Sequence, residues 1–221
     1  MMSTMTQDNV ATWKRSGVRM MVGALVGAGA MSAVLAVAGS ELLDAMGPSR
    51  VALGAVGLVY GLMAALVGFG LAAPRAGATL LNVADADELR EERSGMLLSV
   101  LVMGALALAF FLLALARGPG FAAGPVSATA AMGVLLIVLV GGAFASWRWQ
   151  GAYDELNRQL GLEGCAWAFG LSWLLLTLWA AADFLGWGVV ALTPIDVVTT
   201  LAAMMLVGAF VAIGRRGMMT R

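Results

Sequence analysis

The sequence predicts an all-α integral membrane protein of six transmembrane helices, arranged as three consecutive helical hairpins with both termini in the cytoplasm. Three observations predict it. The composition is 61% hydrophobic and 12% charged, with a mean hydropathy of +0.92, so the chain needs an apolar solvent. Six stretches are long and apolar enough to cross a bilayer, near residues 20–39, 51–73, 96–116, 126–146, 166–187 and 195–213. Basic residues, finally, crowd alternate connections along the chain.

The length criterion is physical. About 30 Å of hydrocarbon takes roughly 20 residues at about 1.5 Å per residue, and backbone groups without water must bond internally, hence as helices. The first stretch follows "KRSGVR" and ends in "AVAGS", which imitates a cleavable signal peptide. Its apolar run exceeds the roughly 7 to 15 residues of such signals, so an uncleaved first helix is expected.

Orientation follows from Lys and Arg. Eleven of 13 lie in one set of connections: Lys14, Arg15 and Arg19; Arg75, Arg90 and Arg93; Arg148 and Arg158; Arg215, Arg216 and Arg221. Only Arg50 and Arg117 fall in the other set, which places the termini and the segments 74–95 and 147–165 in the cytoplasm of a bacterial inner-membrane protein. Each outward connection carries a proline just before the returning helix, at Pro48, Pro125 and Pro194, suited to a first helical position. Thr193 can cap the last helix, with Asp196 favoured by its N-terminal dipole. On the inward side "KRSG" and "ERSG" precede the first and third helices, and "DEL" precedes the third and fifth. Such matches at equivalent places describe a parallel hairpin repeat.

Composition also excludes functions. Net charge is zero, with no basic, aromatic-interleaved patch for nucleic acid. Histidine is absent and Cys165 is the lone cysteine, so disulfides and the usual zinc, haem and iron–sulfur ligand sets are excluded, and no metal or other cofactor is expected. Without histidine or a nucleophile motif, catalysis is not expected either.

Few residues remain as functional candidates. Asp183 is an ionisable side chain well inside an expected span, a functional candidate by default; about one turn below Trp187, it can also simply reach the outer interface, or pair with Arg117 or Arg50 on the same side. Gly23/Gly27 and Gly57/Gly61, at spacing four, suit close helix packing. Trp147, Trp149, Trp167 and Trp187 lie near span ends, as interfacial anchors do. In the cytoplasmic segments, Trp149, Tyr153, Leu156 and Leu160 recur at helical spacing, which predicts an amphipathic helix lying on the membrane or against a protein. Asp85 to Glu88 begin a solvated helix start, and Asp87, Glu88 and Glu91 offer a docking face; calcium-loop spacing is lacking. The expected partners are therefore the lipid bilayer and either another protein or a second copy of the chain. A non-enzymatic regulatory, sensory or assembly subunit fits this pattern first. A small oligomeric transporter or channel, with Asp183 near its pathway, is the alternative.

Overall fold

A computed structural model of the protein describes residues 41–73, 93–149 and 155–219, together with Gly29, Ser32, Ala36 and Gly39. The chain divides into two compact units, Met1–Asp44 and Ala45–Arg221. In the first, every described position is helical. The expected first span, 20–39, otherwise lies outside the described residues.

Five long helices account for the second unit among the described residues: α1 Pro48–Ala72, α2 Arg93–Ala114, α3 Ala128–Trp149, α4 Glu155–Phe184 and α5 Pro194–Met219. All five are long and apolar enough to cross a membrane. They make this a multi-pass helical membrane protein, and their outer faces agree. Leu136, Ile137, Val140 and Phe144 of α3 and Phe169 and Trp173 of α4 all stand exposed, an arrangement suited to lipid and unfavourable in water.

The helix starts follow from local chemistry. At α1, Gly47 takes a positive φ of 74° and Pro48 occupies the first turn. At α5, Pro194 follows Thr193, whose backbone amide and hydroxyl both donate to Asp196 Oδ2 at 3.0 and 2.6 Å. Asp196 thus reaches back over the helix start like the acidic member of a capping box. The third proline behaves differently from expectation. Pro125 stays in the connection, and α3 begins at Ala128 with Ser127 as its cap, the Ala130 amide donating to Ser127 Oγ at 3.2 Å. Val126 is drawn off instead by pairing with α2's end: the Arg117 amide donates to the Val126 carbonyl at 2.8 Å, and the Val126 amide to Leu115 at 3.4 Å.

A second departure concerns α4. Residues 155–184 are one 30-residue helix, so the expected boundary near residue 166 and the separate surface helix are not found. Gly161 and Gly164 weaken a helix interior by only about 1 kcal/mol each, too little to end it against packing on α5. Glu155 supports the first turns through Gln159 at 3.2 Å and Arg158 at 3.8 Å.

Packing orders the helices in an arc, α3 on α2, α2 on α1, α1 on α5, and α5 on α4. The closest pairs are α1 with α2 and α4 with α5. Between α1 and α2 the chains run antiparallel. A Cβ placed on Gly57 would lie 3.2 Å from Phe110 Cβ, and one on Gly61 would lie 3.6 Å from Ala107 Cβ. The α4–α5 contact is tighter: a Cβ on Gly208 would collide with the Gly164 carbonyl and lie 2.8 Å from the Ala168 amide nitrogen. Backbone meets backbone there, so the Gly208 Cα hydrogen points at a carbonyl as in weak Cα–H···O bonds.

Leu53, Tyr60, Ala107, Phe110, Ala114 and Ala202 form the buried centre where α1, α2 and α5 meet. Tyr60 joins all three helices. Its ring lies edge-on to Phe110 at 5.5 Å and its hydroxyl donates to the Ala202 carbonyl at 3.0 Å. Burying that hydroxyl is tolerable only because it finds this acceptor.

Candidate functional site at the proline end of the bundle

The starts of α1, α3 and α5 and the ends of α2 and α4 lie at one end of the bundle, as the antiparallel α1–α2 pair, the short connections after α2 and α4, and the Tyr60–Ala202 bond that sets α1 alongside α5 require. Asp183, Arg117 and Arg50 all belong to it. The structure does not pair them. Among the described residues the ion pairs are Arg158 with Glu155 and Arg215 with Glu163, at the opposite end.

Each of the three has a backbone partner instead. Arg50 Nη1 donates to the carbonyls of Ala114 at 3.2 Å and Ala116 at 2.7 Å. A cation in the first turn of α1 opposes that helix's own dipole, yet here it serves the C-terminus of α2, where carbonyls lack intrahelical donors and attract positive charge. The same guanidinium lies 5.4 Å from the centre of the Phe121 ring, a cation–π contact. Arg117 Nε donates to the Gly124 carbonyl at 2.7 Å.

Residues 115–127 therefore fold into a closed loop. Phe121 is only 3% exposed beneath Arg50, and a Cβ on Gly124 would lie 2.7 Å from the Leu115 carbonyl, so only glycine fits. The Arg50–Phe121 pairing could not be read from spacing, because 71 positions separate the two (121 minus 50).

Asp183 stands exposed near the end of α4, and its Oδ2 accepts a long hydrogen bond from the Leu192 amide, 3.5 Å. Trp179 adds a stronger tie, its indole Nε1 donating to the Val190 carbonyl at 2.8 Å. Together they hold the α4–α5 connection back against α4. A carboxylate exposed at a helix end needs no paired cation.

At the opposite end, Arg215 lies 3.7 Å from Glu163 and its guanidinium 5.4 Å from the Trp167 ring centre, fastening α5 to α4. Trp149 is the last residue of α3, whereas Leu156 lies exposed in the first turn of α4. These two docking candidates thus belong to different helices. Tyr153, Asp87, Glu88 and Glu91 lie outside the described residues, as do Gly23 and Gly27. The α4–α5 seam was missed by pairing glycines alone. Counting alanine and serine as small reveals Gly164, Ala168 and Ser172 at spacing four, the last two buried.

Comparison with protein-family models, curated proteins and solved structures finds no match.

Proposed function

We propose that the chain is a six-span inner-membrane protein with cytoplasmic termini, built as three hairpins, that acts as a non-enzymatic regulatory, sensory or assembly subunit. Its cytoplasmic segments would contact a protein partner. The observation that carries this reading is the length of α4. Its 30 residues rise about 45 Å, roughly 15 Å more than the hydrocarbon core requires. The surplus falls in the turns from Glu155 to Glu163, rich in polar side chains and presenting exposed Leu156 and Leu162. A rigid, partly apolar helical end outside the membrane suits docking better than transport. Asp183, on which a pathway reading would rest, is engaged with the Leu192 amide.

Purification in mild detergent is the test. A stoichiometric partner should accompany the protein, and Leu156→Glu with Leu162→Glu should release it while leaving the thermal midpoint in place. Recovery of the lone wild-type protein from every preparation would overturn the reading.

A further inference from the structure

The end of α4 and the connection after it read "FLGWGVVAL", residues 184–192, without one charged or hydroxyl-bearing side chain before Thr193 caps α5. Their side chains are among the barest in the molecule: Phe184 is 91% exposed, Val190 77% and Trp187 74%. An ordinary aqueous loop carries several turn-forming polar side chains, whereas here Thr193 alone supplies one, and its hydroxyl is spent on Asp196.

The two ends of this segment's backbone are tied from within. Gly186, at φ 68°, closes α4 in a Schellman arrangement, with the Trp187 amide on the Ala182 carbonyl at 3.1 Å and the Gly186 amide on Asp183 at 3.0 Å. Gly188, at φ 72°, turns the chain again. The Val190 carbonyl then takes the Trp179 indole at 2.8 Å, and the Leu192 amide reaches Asp183. Trp179 is five residues inside the end of α4, so the returning strand is tied about 7 Å below that end.

We infer that residues 184–192 form a shallow re-entrant segment seated in the bilayer at the boundary of headgroups and acyl chains. Three features select lipid as the occupant. The segment is continuous on both sides with spanning helices, its exposed side chains are apolar or amphipathic, and its partly bonded backbone suits the headgroup boundary, where the free amides and carbonyls from Gly188 to Ala191 can meet headgroups and water. The closed loop 115–127, at the same end, is the contrast. It draws on two arginines and covers its aromatic ring. The inference is independent of any cytoplasmic partner.

Depth measurement tests it. On a Cys165→Ser background, Trp187→Cys and Val190→Cys are each spin-labelled, and the full chain is reconstituted alone in phosphatidylcholine vesicles, with Ala122→Cys in loop 115–127 as reference. Labels at 187 and 190 should collide with oxygen several-fold more, relative to a water-soluble nickel chelate, than the label at 122. Equal ratios at all three positions would place the segment in water and overturn the inference. Shielding from both reagents would overturn it as well, showing a second copy on the segment. As a check free of cysteine substitution, brominated phosphatidylcholine should quench the native fluorescence more than that of Trp187→Phe.

Discussion

The two halves of this bundle use the same materials in opposite ways. In the α1–α2 half, aromatic side chains fill the contact: Tyr60 and Phe110 stand edge to face beside Gly57, and the adjoining loop buries Phe121 under Arg50. In the α4–α5 half, backbone touches backbone at Gly164 and Gly208, and the adjoining connection turns Phe184 and Trp187 outward. One half is closed by its own side chains, and the other is completed by its surroundings. The comparison shows that apolar sequence alone does not tell whether an aromatic residue belongs to the core or to the solvent the protein lives in. Nearby cations settle it, since Arg50 and Arg117 reach the first loop and no basic residue lies between Arg158 and Arg215.

The sharpest way to break the contrast is a methyl group. Gly208→Ala should destabilise the protein by about 3 kcal/mol in titrations with denaturing detergent, because the methyl must displace helix backbone. Gly57→Ala, facing the movable Phe110 side chain, should cost no more than about 1 kcal/mol in the same titration. Next comes the cation of the closed loop. Arg50→Met keeps much of the side-chain volume but strips the Ala114 and Ala116 carbonyls of their donor, an expected loss of about 2 kcal/mol. Limited proteolysis should then cut within 115–127 and leave 184–192 intact. Tyr60→Phe retains the ring contact and removes the bond to Ala202, lowering stability by about 0.6 kcal/mol, typical of hydrogen bonds between membrane helices. Smallest of all is Asp183→Asn, whose amide oxygen still accepts from Leu192; a change within about 0.5 kcal/mol is expected, since the residue is exposed and its bond long.

Legibility from sequence follows the range of each interaction. The spans expected at 51–73, 96–116, 126–146 and 195–213 correspond to α1, α2, α3 and α5, because a length of apolar residues is a local property. The expected 166–187 span overlaps α4 over 166–184; the helix's earlier start at Glu155 was hidden by polar residues and two glycines that a packed helix tolerates. Pro125 misled because proline suits a helix start and a turn equally, and pairing of Val126 with α2's end decided between them. At the proline end, Asp183 was visible as a lone acid among apolar residues. Its partner was not, since a backbone amide leaves no mark in a sequence. The bias of basic residues was visible too, but not why two escape it: Arg50 and Arg117 each find carbonyl groups in the loop that the first of them covers.

Tyr60 carries a consequence for how the chain is made. Its acceptor on Ala202 lies 142 residues further along, in α5. During synthesis α1 and α2 emerge before α5 and can pair at once, whereas the Tyr60 hydroxyl must wait for 142 further residues before its acceptor exists. Until then it has to be satisfied by water or lipid headgroups. A chain lacking α5 therefore carries a polar defect at the centre of the α1–α2 pair, which a membrane quality-control protease could recognise, and arrival of α5 removes it.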